Sequence, residues 1–103
     1  MSDKYILEGH VAVKCEDTAK WGKWLESADR VVARTEGAGA EISTVFLGLD
    51  HSFDGGLPLI FETMVFGGKH DQNQDRYSTW EEAETGHAKM CAKVFQATTN
   101  KEG

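Results

Sequence analysis

The chain has 103 residues, 40% hydrophobic and 27% charged, with a net charge of −6. That length fits one domain, and the balance excludes an intrinsically disordered chain. The acidic surface, with a sequence pI near 5.1, repels phosphate backbones and makes nucleic acid an unfavourable partner. No apolar run approaches the ~20 residues that span a bilayer. The first residues, Met-Ser-Asp-Lys-Tyr, lack the apolar core of a signal peptide, so a cytoplasmic location with no membrane contact is expected. Cys15 and Cys91 are the two cysteines, and no CxxC or CxxH spacing points to zinc. No cofactor is expected.

In chain order, residues 5–13 alternate, with Tyr5, Leu7, Val11 and Val13 opposing Ile6, Glu8, His10 and Ala12. This is the period of a strand. Asp17 offers an N-cap, and Trp21, Trp24, Leu25, Ala28, Val31 and Val32 then recur at three- and four-residue steps. The pattern predicts an amphipathic helix through Val32, stopped by Gly37 and Gly39. Residues 41–49 and 59–66 read as two further strands, joined by a turn-rich loop over 50–58. The stretch 69–76 reads as polar loop. Ser78-Thr79-Trp80-Glu81 matches a capping box with Ser78 as N-cap. A second helix follows, with Trp80, Ala83, His87, Met90, Cys91 and Val94 on one face. Residues 98–103 read as a flexible tail, leaving an ordered core over about 5–97.

The expected fold is therefore α+β: one domain over 1–103, in the order β-α-β-β-α. It is a three-stranded sheet with two helices on one face, a ferredoxin-like half. The central hairpin carries an anomaly. Phe46, Ile60, Met64 and Phe66 are placed opposite Phe61, Thr63 and Val65, so both faces read as apolar. Two short helices cover one face only. Either the chain folds back over the second face, or a partner covers it, most simply a second copy in a homodimer.

Several residues could carry chemistry. Asp50 and His51 enter the 50–58 loop, Glu62 lies inside an apolar strand, and His87 sits on an apolar helix face. With His10, these types suit a metal-assisted or acid–base site, although their spacing matches no established motif. The plain reading competes: Asp50 stabilises a turn, Glu62 is a paired charge, and His87 is a satisfied core histidine. Arg76, Tyr77 and Trp80 could form the mouth of a nucleotide-type site, with stacking on the aromatics and phosphate on the arginine. The plain reading there is a core tryptophan beside a solvated loop end. Asp54-Gly55-Gly56 joins two strands with no P-loop Lys or Ser/Thr after it, and reads as a hairpin connection. Gly48 inside a strand marks a bulge or the close approach of another backbone.

Three blocks carry a resemblance. Residues 43–51 (STVFLGLDH), 59–68 (LIFETMVFGG) and 76–83 (RYSTWEEA), with Val32-Ala33-Arg34-Thr35, are similar to a family of small uncharacterised proteins of phages, prophages and mobile elements. The likeness covers most of residues 5–94. It implies a genomic setting and no mechanism. The expectation that follows is a non-enzymatic binding or accessory protein that modulates a host process, with a host or phage protein as partner. The candidate contact residues are Phe46, Ile60, Glu62, Met64, Phe66, Arg76, Tyr77 and Trp80. A small Asp/His/Glu enzyme and a nucleotide-signal binder are the alternatives.

Overall fold

A computed structural model describes residues 3–53 and 55–95, so the tail read over 98–103 lies outside the described residues. The chain runs β1 (Tyr5–Glu8), β2 (Val11–Lys14), α1 (Thr18–Ser27), β3 (Val31–Gly37), β4 (Ala40–Phe46), β5 (Phe61–Phe66), β6 (Gln74–Tyr77) and α2 (Trp80–Phe95). It is α+β, as expected, but with two sheets: a β1-β2 hairpin and a four-stranded antiparallel meander β3-β4-β5-β6. The expected single three-stranded sheet is corrected in three places.

First, residues 5–13 are two short strands, because Gly9 takes a positive φ of 64° and folds the segment back on itself. Second, α1 stops at Ser27, and Val31 and Val32 begin a strand. The Asp29 carboxylate accepts from the Val31 N–H at 3.1 Å, a turn that competes with continuing the helix. The glycines beyond then serve a hairpin. Ala38 and Gly39 both have positive φ, 46° and 80°, as a two-residue type I′ loop requires. Third, the polar stretch before Tyr77 contains the edge strand β6, paired to β5 from Phe61↔Tyr77 to Met64↔Gln74. Charged side chains suit an edge that must not attract other strands.

The β4–β5 register sets the faces. Phe46 pairs with Phe61, Thr44 with Thr63 and Ile42 with Val65, so these six share one face. α2 lies across that face, burying Ala83, His87 and Met90. Phe46 and Ile60, expected on an uncovered face, are 0% and 1% exposed and belong to the core. For Phe46 a one-residue difference in the β4 register separates expectation from structure, since it moves every side chain of a strand to the other face. Ile60 precedes β5 and does not follow that strand's alternation. Tyr5, Leu7, Ala12 and Trp24 pack on the cluster formed by Phe46, Ile60, Phe61 and Ala83. Each such fully buried Phe or Ile contributes about 1.5–3 kcal/mol.

The N-terminal hairpin joins the sheet at Gly48. The Tyr5 N–H donates to the Gly48 carbonyl at 2.8 Å, and the Asp50 N–H donates to the Asp3 carbonyl at 3.0 Å. Trp21 Nε1 donates to the same Gly48 carbonyl at 3.1 Å. Gly48 has φ 81°, a conformation that favours glycine, and a Cβ there would also crowd the Leu25 side chain at 3.2 Å, while the Tyr5 carbonyl lies at an ordinary contact distance of 3.6 Å.

Both helices begin on the caps their sequences offer, with one shift. The Asp17 carboxylate accepts from the Lys20 N–H at 3.1 Å, as expected. At α2 the N-cap is Thr79, one residue later than the Ser78 expected. Its hydroxyl accepts from the Glu82 N–H at 3.0 Å, and the Glu82 carboxylate reaches back to the Ser78 N–H at 3.1 Å. The serine and threonine are adjacent and both are followed by glutamates, so the sequence carries the motif in two frames.

Candidate functional site

The sequence candidates do not gather into one site. Asp50 Oδ1 accepts from the N–H groups of Ser52 at 2.8 Å and Leu59 at 3.0 Å, which pins the two ends of the loop. Burial opposes its ionisation, but these N–H bonds outweigh it and hold its carboxyl below the usual range. The backbone of neighbouring His51 donates to the Leu59 carbonyl at 3.0 Å. Glu62 lies on the sheet face away from α2, paired with Arg76 at 3.1 Å. His87 lies on the α2 side. Glu62 and His87 therefore occupy opposite faces of the sheet. Among the described residues no group of three or more His, Cys, Asp or Glu side chains could hold a metal ion. Both cysteines are free.

Trp80 is already occupied. His10 stacks on its indole with centroids 3.8 Å apart and planes 5° apart, and Phe61 meets it edge-on. One face of the indole is thus taken by His10. Met64 and Phe66 do point outward with Glu62, and Phe66 is 49% exposed. The same face carries the Arg34–Glu41, Arg34–Glu36 and Arg76–Glu62 pairs. It is amphipathic where the sequence suggested an apolar sheet.

Under α2 the sheet holds a continuous polar chain. Tyr77 Oη donates to Thr63 Oγ1 at 3.0 Å. Thr63 and Thr44 hydroxyls lie 2.6 Å apart. Thr44 Oγ1 lies 2.7 Å from His87 Nδ1, and His87 Nε2 lies 2.9 Å from Thr35 Oγ1. Each threonine hydroxyl has one proton to give. One order that satisfies every group has Tyr77 donating to Thr63, Thr63 to Thr44 and Thr44 to Nδ1, with Nε2 carrying the ring proton and donating to Thr35. The imidazole is neutral in this order, and burial pushes its pKa below the ordinary value of 6.5. Thr44 and Thr63 are fully buried and His87 nearly so, and a satisfied network of this kind specifies one packing. His87 is a nearly buried histidine hydrogen-bonded at both ring nitrogens.

Tyr77, at the end of this chain, also lines a groove of about 650 Å³ between β6 and α2. One wall is Asp75 to Ser78. The other is the α2 stripe Glu82, Thr85, Gly86, Lys89 and Lys93, with Leu59 and Met90 adding apolar surface. Gly86 has a specific role here. A Cβ at this position would fall inside the Tyr77 ring and hydroxyl, so the helix can lie on the tyrosine only where it lacks a side chain. Burial raises the Tyr77 pKa, partly offset by its Thr63 bond.

The sequence reading missed Thr35, Thr44, Thr63, Gly86, Lys89 and Lys93. The threonines had a signal: Thr44 and Thr63 alternate with Ile42, Phe46, Phe61 and Val65, so a hydroxyl must be buried twice. Gly86 in mid-helix was a second signal, since glycine costs about 1 kcal/mol there without a packing reason. Comparison with known proteins returns no matching family model, curated protein or solved structure.

Proposed function

We propose that this chain is a non-enzymatic binding protein, an accessory protein of a phage or mobile element acting in the cytoplasm. It engages a host or phage protein through the groove between β6 and α2 and so modulates a host process. The observation that carries this reading is the groove itself. Its size falls in the range of ordinary binding sites, it lies beside an edge strand, and its tyrosine floor is fixed from beneath by the buried network. The separation of Asp50, Glu62 and His87 favours binding over the enzymatic alternative. No helix of the described residues is long and apolar enough to cross a membrane.

Affinity capture with two baits tests the proposal. Thr85 is exposed on the groove side of α2, so Thr85→Trp fills the groove without entering the core. A partner held by the wild type and lost by Thr85→Trp is the expected result. A partner held equally by both baits removes the groove from the reading. Retention of a cyclic dinucleotide by the wild type, with no protein held, favours the nucleotide-signal alternative.

A second reading, self-association, is favoured by the outward Met64 and Phe66 on the sheet face away from α2. A specific interface hides roughly 800 Å² per partner, about the area of a small sheet face. Met64→Lys should split such a homodimer with its circular dichroism unchanged. A one-chain mass for the wild type by light scattering at high micromolar concentration rules the dimer out.

A further inference from the structure

We infer that the groove between β6 and α2 takes an acidic peptide in extended form, which adds to β6 as a fifth strand and sets its carboxylates on Lys89 and Lys93. This rests on the groove being the partner site proposed above.

The edge comes first. β6 ends the strand order, so one side of it is unpaired by any strand of the sheet. The carbonyls of Asn73 and Tyr77 accept from Val65 and Ile60. By the period of two, the backbone groups of Gln74 and Arg76 then face away from β5. The Arg76 N–H is held by the carboxylate of its own neighbour, Asp75, at 3.2 Å. Asp75 is exposed, so an incoming peptide carbonyl can replace it while the carboxylate returns to water. Strand addition of this kind draws affinity from the main chain and selectivity from alternate side chains.

Charge chooses the peptide. Three charged groups of the groove are engaged: Asp75 on the Arg76 N–H, Glu82 on the Ser78 N–H, and Arg76 on Glu62. The Glu81 carboxylate also lines the groove, but in the first turn of α2, eight residues and about 12 Å of helix axis before Lys89. Lys89 and Lys93 have no ion-pair partner among the described residues. They form a cationic rail on a chain whose net charge is −6. An acidic segment is repelled by the surface at large and attracted here, which gives selectivity by contrast.

Spacing completes the argument. Lys89 and Lys93 stand four residues apart, about 6 Å along the helix axis. Side chains two apart on one face of an extended chain stand about 6.8 Å apart. Carboxylates at alternate peptide positions therefore match the spacing of the two lysines.

The test uses the full chain and a fluorescein-labelled, terminally blocked eight-residue peptide of alternating valine and aspartate. Saturable anisotropy is expected, with at least a tenfold loss for the valine–lysine peptide and for the Lys89→Glu/Lys93→Glu protein. Both lysines are exposed, and circular dichroism confirms that the variant is folded. Amide exchange at Arg76 should slow on addition of the peptide. No binding at millimolar peptide, or equal binding by the charge-reversed protein, overturns the inference. Binding that needs the lysines but leaves Arg76 exchange unchanged overturns strand addition. Tighter binding of an oligothymidylate of equal charge overturns the peptide class. A partner still captured by wild type and lost by Thr85→Trp, alongside any of these failures, leaves the groove as a partner site and removes only its acidic-strand occupant.

Discussion

Gly86→Ala should destabilise this protein, although the same change in an ordinary helix stabilises it. In a solvent-facing helix interior alanine gains about 1 kcal/mol over glycine. Here the new methyl occupies the space of the Tyr77 ring and hydroxyl, so the tyrosine must move. Moving it forfeits the bond to Thr63, about 1 kcal/mol, and strains the packing beneath α2 by about 1–3 kcal/mol. The net loss is about 1–3 kcal/mol, a fall in urea midpoint of about 1 M for a domain of this size. Removing the obstacle reverses the sign: in a Tyr77→Ala background Gly86→Ala should stabilise by about 1 kcal/mol. The double-mutant coupling is then about 2–4 kcal/mol, large enough to measure by urea unfolding followed by circular dichroism. A wild-type midpoint that rises with Gly86→Ala, or one that moves the same way in both backgrounds, refutes the contact.

Thr79→Ala should cost about 1 kcal/mol by freeing the Glu82 N–H at the start of α2, whereas Ser78→Ala should move the urea midpoint much less. Equal losses would return the cap to Ser78. His87 makes stability depend on pH. Its folded pKa is depressed, so below its ordinary value near 6.5 the unfolded chain binds a proton that the native one refuses. Stability is full above that pH and falls as pH descends through it, by at most about 1.4 kcal/mol per unit, until the folded value is reached. Urea midpoints from pH 7.5 to 5.5 should show this slope, and His87→Gln should flatten it; an unchanged slope in the variant assigns it elsewhere. Ala38→Asn should raise the melting temperature, because asparagine tolerates the positive φ of the β3–β4 loop better than alanine does. A fall would mean that the loop has another conformation.

What could be read from the chain depended on how far each signal reaches. α2 was legible because its stripe from Trp80 to Val94 is long and periodic, and Asp17 was legible because capping is local. β4 and β5 were legible as strands from their β-branched and aromatic residues. Their faces were not, since alternation along one strand says nothing about which side meets a helix. That choice is made by the pairing Phe46↔Phe61, a contact between residues 15 apart. β6 escaped because an edge strand is polar by necessity, and Gln-Asp-Arg looks like loop. Val31 and Val32 were misread because their spacing continues the helical stripe of Trp21, Trp24 and Ala28 while their β-branching suits a strand equally well. At the site, Tyr77 and Arg76 were singled out, for a nucleotide-type ligand. The lysines beside them were passed over because a charged pair on a helix surface is ordinary until an open strand edge is placed next to it.

The splice at Gly48 divides the molecule into two tiers of stability. Every rung between β3 and β6 forms without the hairpin β1–β2 or helix α1, and those elements reach the sheet's backbone through a few bonds between residues 3–5 and 48–50. Opening that splice would release residues 3–28 as one unit, at the cost of uncovering Phe46 and Phe61, and would leave the ladder beneath α2 closed. Amides of β1, β2 and α1 should then exchange faster than those of β4 and β5, which a native-state hydrogen-exchange experiment reads directly. The groove between β6 and α2 belongs to the slower tier, so a ligand held there survives excursions that would empty a site built on the N-terminal hairpin.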